Sequence, residues 1–253
     1  MTGFPYDLTG PIGSAATLGL IVLQVDETIE QDFRRLLPGR EVALYVTRIP
    51  SGADLTPDTI AQMERDLPGA AGLLPPAARF DAVGYACTSG TTLIGADRVE
   101  ALVHRSCTTT HVCNPLSAAQ AALCHVGVRR IGLVSPYSAS IAADLQRAFE
   151  AAGFAVPRAI SFGEEVEANV ARIDPRSIDA AARAVAAEGE IDAVFLSCTN
   201  LRTLDIVEGL EQELGLPVIS SNLALAWRMA VVAGAGGALS GGFRLLQEGG
   251  QAA

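Results

Sequence analysis

The sequence predicts an α/β protein of two pseudo-symmetric lobes, each a mostly parallel four-stranded sheet flanked by helices, with a cleft between them. Three observations predict it. First, the stretch Phe80-Asp-Ala-Val-Gly-Tyr-Ala-Cys87-Thr returns as Ile191-Asp-Ala-Val-Phe-Leu-Ser-Cys198-Thr, 111 positions later. Second, other landmarks recur in the same order. Leu18-Gly-Leu-Ile-Val22 reappears as Ile131-Gly-Leu-Val-Ser135, and His111-Val-Cys113 as Pro217-Val-Ile219, each before a helical pattern. Matched landmarks at a nearly constant offset indicate an internal duplication. Third, short apolar runs alternate with helical patterns throughout, the arrangement of parallel sheets covered on both faces.

Residues 1–16 are rich in Gly and Pro without periodicity and read as an arm or loop. The strand Thr17–Leu23 runs into Gln24–Thr28, where Asp26 is placed to cap a helix reaching about Phe33. Arg40–Thr47 is the next strand, and Thr56-Pro-Asp-Thr opens a helix with Pro at an early position. Leu67–Ala78, with three Pro and two Gly, is expected to break that pattern before the first cysteine strand. After Cys87 a helix is expected over Leu93–Arg105, then a strand at Thr110–Cys113 ending in Asn114-Pro115 and an Ala-rich helix at Leu116–Val126. The second half opens with the strand Ile131–Ser135, followed by Pro136-Tyr137-Ser138 and a helix through Ala152. Ala155–Ser161 reads as a strand and Phe162–Ile173 as a polar connection containing Asn169. A helix over Pro175–Glu188 leads to the Cys198 strand, then come a helix at Arg202–Leu214, the strand Val218–Ser220, a helix through Val232 and a Gly-rich tail.

Composition excludes several classes. At 253 residues the chain has room for a substantial core, and the repeat favours two lobes. No apolar run approaches the roughly 18 to 20 residues that cross a bilayer. The N-terminus lacks a basic start followed by an apolar stretch, so neither a signal peptide nor a membrane partner is expected. Five scattered cysteines point to free thiols and a cytoplasmic protein rather than a disulfide scaffold. A net charge of −10 argues against nucleic acid, which needs a basic face. All eighteen basic residues are Arg; without Lys there is no Schiff-base chemistry and no usual attachment of pyridoxal phosphate.

Ligands of such folds bind beyond the carboxyl ends of strands, where Asp26, Cys87, Tyr137, Cys198 and Asn200 all fall. A thiol at a helix N-terminus feels the dipole and unpaired N–H groups, which lower its pKa, so Cys87 and Cys198 are both expected to favour thiolate. The bland reading of each is a small buried hydrophobe. Duplication of the context favours catalysis. Thr88 and Ser89 in one lobe, with Thr199 and Asn200 in the other, offer hydroxyls and N–H groups suited to a carboxylate or to ordinary capping. His104, His111 and His125 with Cys107, Cys113 and Cys124 lack paired finger spacing, so no metal is expected. Gly234-Ala-Gly-Gly-Ala-Leu239 has Leu in the last glycine position of a dinucleotide fingerprint and follows a helix, and no phosphate-cradling Gly-Lys motif occurs. No cofactor is expected.

Cys87-Thr in one lobe and Cys198-Thr-Asn in the other resemble the aspartate/glutamate racemase superfamily, over about residues 16–235. Gly19–Val22 followed by Asp26-Glu-Thr-Ile-Glu30, Ser135-Pro-Tyr137, Asn169-Val-Ala-Arg-Ile173 and Ser197-Cys-Thr-Asn-Leu201 are most similar to its maleate cis–trans isomerase branch and the ectoine-utilisation relatives. The resemblance implies cofactor-free acid–base chemistry between two facing cysteines, with Cys87 as nucleophile, Cys198 as acid, and Tyr137 and Asn169 touching substrate. It implies Asn at the position of Asp26, so an acidic group there suits a substrate with an amino or amidine group better than maleate itself. It also implies that arylmalonate decarboxylases keep only the second cysteine. The resulting expectation is two Rossmann-like lobes, residues 15–115 with 222–253 and residues 116–221. They hold a small carboxylate in an active site between them, with homo-oligomerisation left open. Isomerisation of a maleate type is expected. Racemisation of an aspartate- or diaminobutyrate-like amino acid, an arylmalonate-type decarboxylation and a non-catalytic carboxylate-binding module are the alternatives.

Overall fold

The structure is a computed structural model that describes residues 3–53, 56–188 and 190–247. Its elements follow in order: β1 (Ala16–Leu23), α1 (Ile29–Leu36), β2 (Val42–Ile49), α2 (Pro57–Ala71), β3 (Phe80–Ala86), α3 (Thr88–Ile94), α4 (Ala96–His104), β4 (Thr109–Cys113) and α5 (Pro115–His125). The second half has β5 (Arg130–Ser135), α6 (Ala139–Ala151), β6 (Ala155–Ser161), α7 (Glu167–Val170), α8 (Pro175–Glu188), β7 (Ala193–Leu196), α9 (Leu204–Leu214), β8 (Val218–Ser220), α10 (Ser221–Val232) and the short α11 (Arg244–Gln247).

The strands form two four-stranded sheets of equivalent order, β2-β1-β3-β4 and β6-β5-β7-β8, parallel throughout. In each sheet the order reverses between the first strand and the cysteine strand. The register Leu18↔Ala82 to Val22↔Ala86 brings the ends of β1 and β3 side by side, as Ile131↔Ala193 to Val134↔Leu196 does for β5 and β7. Such a switch point opens a crevice at the carboxyl ends of the two strands. Asp26 and Cys87 follow one pair, Tyr137 and Cys198 the other.

Between the sheets α5 packs on α10, and α10 also lies against α1 and β3. One continuous apolar core therefore runs from Leu18, Leu20 and Val22 through Leu223 and Met229 to Ile131 and Leu133. A second core, with Met63, Leu67, Ala71, Phe80 and Tyr85, fills the other face of the first sheet. The tail ties to both halves: the Ser240 amide donates to the Leu36 carbonyl, and those of Gly242 and Arg244 donate to Glu208 and Glu211. Among the described residues no helix is long and apolar enough to cross a membrane.

Several local expectations are corrected. Helix α2 continues through Pro68 to Ala71, because Ile60, Met63, Leu67, Ala70 and Ala71 bury one helical face and hold its last turn. The expected single helix after Cys87 is two, α3 and α4, broken at Gly95 with φ 94°. Thr28, not Asp26, stands at the start of α1, although Asp26 Oδ1 accepts from the amides of Thr28 and Ile29 at 2.8 and 2.9 Å. The polar connection 162–173 contains the single turn α7. Cys198 does not begin a helix; α9 starts at Leu204, and a turn intervenes.

Candidate active site at the lobe seam

Cys87 caps the N-terminus of α3, its Sγ accepting from the Gly90 amide at 3.1 Å, with Ser89 Oγ 3.6 Å away. The space beside it is closed by Tyr85, whose hydroxyl reaches Met63 Sδ at 3.9 Å and adjoins the thiol. A Cβ at Gly90 would lie 2.7 Å from Tyr85 Oη and 2.8 Å from Cys87 Sγ, so glycine is required by close approach.

Cys198 reaches a comparable position by a different device. Its φ of 121° is the left-handed region in which glycine is usual, and no other described non-glycine residue has a positive φ. The Cys198 amide donates to Ser221 Oγ at 3.0 Å, and the Asn200 amide supports its sulfur. Backbone strain held by surrounding bonds clusters at functional sites.

The lobes meet through polar contacts. Ser221 Oγ is 3.0 Å from Thr88 Oγ1, and Thr199 Oγ1 donates to the Ala86 carbonyl at 3.3 Å. Thr28 Oγ1 donates to the Asn200 carbonyl, while Asn222 Nδ2 donates to Asp32 Oδ2 at 2.7 Å and to the Thr199 carbonyl at 2.9 Å. Tyr137 is buried beside Ser197 and both thiols, its hydroxyl adjoining the Ser197 hydroxyl and the Cys198 thiol.

The expectation of lowered thiol pKa values is overturned. Burial pushes Cys87 up to about 11, outweighing the Ser89 and Gly90 hydrogen bonds. Burial, with Glu167 nearby, pushes Cys198 well above its ordinary value. Removing a thiolate from water outweighs a few neutral donors, and for Cys198 the helix terminus invoked to help is absent.

Three carboxyl groups surround the turn after Cys198. Asp26 is buried, its pKa raised by desolvation against the Ile29 and Thr28 amides, the Thr199 hydroxyl and the charge of Arg48. Glu167 is raised by burial against a bond from Asn200, with Asp26 as a like-charged neighbour. Asp32 is raised to about 6, chiefly by burial. Asn200 joins the first two: its Nδ2 donates to Glu167 Oε2 and O, each at 3.1 Å, and its Oδ1 accepts from the Glu27 amide at 2.9 Å.

Eight of the nine residues singled out from sequence thus meet at this seam: Asp26, Cys87, Thr88, Ser89, Tyr137, Cys198, Thr199 and Asn200. Asn169 does not; it is exposed on α7, donating to Glu164 Oε2 at 3.2 Å. The residue of α7 that turns inward is Glu167, which sequence reasoning passed over, as it did Tyr85. Tyr85 sits inside the apolar cysteine strand and was visible there. Ser221 and Asn222 follow the carboxyl end of β8, where ligands of such folds bind. Of the dismissed metal candidates, His104 faces Glu100 at 3.7 Å and the His125 ring lies tilted at 45° against Trp227, centroids 5.1 Å apart. Among the described residues no group of three His, Cys, Asp or Glu is placed to hold a metal ion.

Comparison with known proteins adds to this geometry. The arylmalonate decarboxylase family model matches residues 79–246. The chain is 29% identical to maleate isomerase from Nocardia farcinica over 248 residues, 91% of this chain and 95% of that protein. It is 36% identical to arylmalonate decarboxylase from Bordetella bronchiseptica over 147 residues, 56% of this chain and 58% of that protein. Among solved structures, a cysteine-to-serine mutant of the Nocardia farcinica maleate cis–trans isomerase, carrying a covalently bound succinylcysteine intermediate, matches with a TM-score of 0.81. That match has 25% identity over 92% of this chain and 98% of the other. These relatives are enzymes that share the two-sheet architecture. With the family model spanning well over half of its residues, the chain belongs to the arylmalonate decarboxylase family, in the Asp/Glu racemase-like superfamily.

Proposed function

We propose that the protein is a cofactor-independent isomerase of a small carboxylic acid, working through Cys87 and Cys198. The observation that carries this reading is the pair itself. Two buried thiols stand at equivalent switch points of duplicated sheets, with Tyr137 adjoining both. A decarboxylase of the one-thiol kind has no use for Cys87. The succinylcysteine in the isomerase structure supports cysteine as the nucleophile.

For a cis-enedioate, opening of the lobes lets water reach Cys87, lifting the desolvation that keeps it protonated, and its proton passes to solvent. The thiolate adds to one alkene carbon, and the alkene electron pair takes a proton from Cys198 at the other. The carbon–carbon bond, now single, rotates. Cys198 then recovers the proton as the sulfur–carbon bond breaks, leaving the trans product. Negative charge gathering on the carboxylate meets the N–H groups of residues 88–90 and 199–200 and the hydroxyls of Ser89 and Tyr137.

A second reading is favoured by Asp26 and Glu167 beside Cys198: racemisation of an amino acid, such as an aspartate- or diaminobutyrate-like compound of ectoine breakdown. One thiol would remove the α-proton and the other return a proton on the opposite face. Free thiols persist in a reducing compartment, which supports a cytoplasmic setting. Incubation with maleate, aspartate and diaminobutyrate derivatives in deuterated water, followed by proton NMR, tests both readings. Trans product identifies the first and loss of the α-proton signal the second. Binding without either change reduces the protein to a carboxylate-binding module.

A further inference from the structure

We propose that Tyr85 is a positioning residue for Cys87, its hydroxyl buried behind the thiol and donating to the thiolate when one forms. The inference rests on Cys87 being the nucleophile of the two-thiol reading.

Strand geometry brings the two side chains together. Residues two apart in extended chain share a face, and Cys87, with φ −148° and ψ 112°, continues the extended backbone of β3. Tyr85 and Cys87 therefore both turn into the second core, where Tyr85 is 0% exposed and Cys87 2%. The point at which a Cβ on Gly90 would stand is 2.7 Å from Tyr85 Oη and 2.8 Å from Cys87 Sγ. Hydroxyl and sulfur thus flank the small space that this glycine leaves. Because both belong to β3 and its end, opening of the seam does not part them.

The hydroxyl has little else to bond. Apart from the thiol, its partner among the described residues is Met63 Sδ at 3.9 Å, and a thioether is a weak acceptor. Buried O–H groups are costly when poorly paired, so a better acceptor in reach will draw this one. A thiolate at Cys87 is such an acceptor, since bonds to a charged partner are about twice as strong as neutral ones. The Gly90 amide and the Ser89 hydroxyl already approach the same sulfur at 3.1 and 3.6 Å. Tyr85 completes a set of three donors. Burial holds its own pKa well above the ordinary value, so the group keeps its proton and acts as a donor rather than a base.

The duplication supplies an internal contrast. In the second cysteine strand the place of Tyr85 is taken by Leu196, also wholly buried, so nothing behind Cys198 can donate from the core side. The tyrosine near Cys198 is Tyr137, which stands at the seam and adjoins both thiols. Of the other ionisable groups, Glu167 of α7 bears on Cys87 and opposes its thiolate, while Tyr85 favours it. A core-side hydroxyl present for one thiol and missing for the other matches a nucleophile that must be held ionised and an acid that must not.

Alkylation of Cys87 by iodoacetamide, followed by peptide mass mapping between about pH 6 and 10, tests this, because the reagent takes the thiolate. Tyr85→Phe keeps the ring and removes the hydroxyl. At a given pH it is expected to label Cys87 about tenfold more slowly than wild type, with the pH profile displaced upward. Cys198, read in the same samples, is expected to keep its rate and so controls for opening of the lobes. Met63→Leu perturbs the same core without removing the donor and is expected to leave Cys87 as reactive as before or more so. A merely structural role for Tyr85 predicts the opposite sign, since a loosened core exposes the thiol and speeds its alkylation. Thermal melting checks that both variants are folded. Labelling of Cys87 in Tyr85→Phe at the wild-type rate or faster would overturn the proposal. So would a wild-type Cys87 that takes no label across the range, for there would then be no thiolate to hold. Full activity in Cys87→Ser would overturn the nucleophile reading instead, whereas the alkylation rates need no turnover and decide the part of the hydroxyl by themselves.

Discussion

The amide of Cys198 donates to Ser221 Oγ at 3.0 Å, and this bond holds the one described non-glycine residue with a positive φ. The same hydroxyl meets Thr88 of the other lobe. Conformations of this kind cost about 1–3 kcal/mol and persist when their surroundings over-determine them. Ser221→Ala leaves a buried N–H without a partner, which costs about 1–3 kcal/mol. The variant is expected to unfold at lower urea concentration and to lose activity beyond what the stability loss explains. Thr88→Val, which spares the Cys198 amide, should be milder on both counts. Equal urea midpoints for wild type and Ser221→Ala would show that the turn needs no such support.

Gly90 is the tightest point beside Cys87. An added methyl group would press on Tyr85 Oη and Cys87 Sγ, both enclosed and without room to retreat. Overpacking of this kind costs about 1–3 kcal/mol. Gly90→Ala is expected to lower both the melting temperature and the turnover. A variant that keeps wild-type turnover would show that Cys87 does not work from the position described.

The buried acids make stability fall as pH rises. Asp32 has its pKa raised from 3.8 to about 6, chiefly by burial, so the folded protein holds that proton more tightly than the unfolded chain. Its contribution is present in full below the unfolded value and is lost as pH rises through about 6, and Asp26 and Glu167 act in the same direction. Asp32→Asn keeps an acceptor for Asn222 and removes the buried charge. At about pH 8 it is expected to stabilise the protein, with an upper limit of about 3 kcal/mol, at about pH 5 by about half as much, and below about pH 3.8 to change little. Urea midpoints at the three pH values measure it. A destabilisation at the higher pH would show that ionised Asp32 is better paired than its surroundings imply.

Much of the fold was legible because its boundaries are local. Ala155–Ser161, Pro175–Glu188 and Val218–Ser220 begin and end where they were read, each flanked by Gly, Pro or polar residues. The persistence of α2 through Pro68 was not, since it depends on what the helix packs against, and the break at Gly95, a local signal, was passed over. The site divides in the same way. Residues at strand ends were found through the duplication, but the two cysteine turns look alike in sequence and differ in backbone. Cys87 begins a helix and Cys198 does not. Glu167 was hidden in a polar connection, where only packing shows that it faces inward while Asn169 faces solvent.

That difference between the turns separates the roles of the two thiols. Burial raises both thiols; after it, the Ser89 hydroxyl and Gly90 amide weigh most on Cys87 and favour its thiolate, whereas the charge of Glu167 weighs most on Cys198 and opposes one. Cys87 is therefore the expected nucleophile and Cys198 the acid. If the reaction is addition to a double bond, Cys87→Ser should abolish turnover, because a hydroxyl at ordinary pKa needs an adjacent base and no histidine is present at either turn. Cys198→Ser should retain a slow activity and accumulate an adduct on Cys87, visible by intact mass. If the reaction is two-base proton exchange, neither variant should form an adduct. Each should then lose exchange of the α-proton from a different enantiomer, because each thiol serves one face of the substrate. Full activity in both single variants would eliminate both mechanisms and leave a carboxylate-binding module.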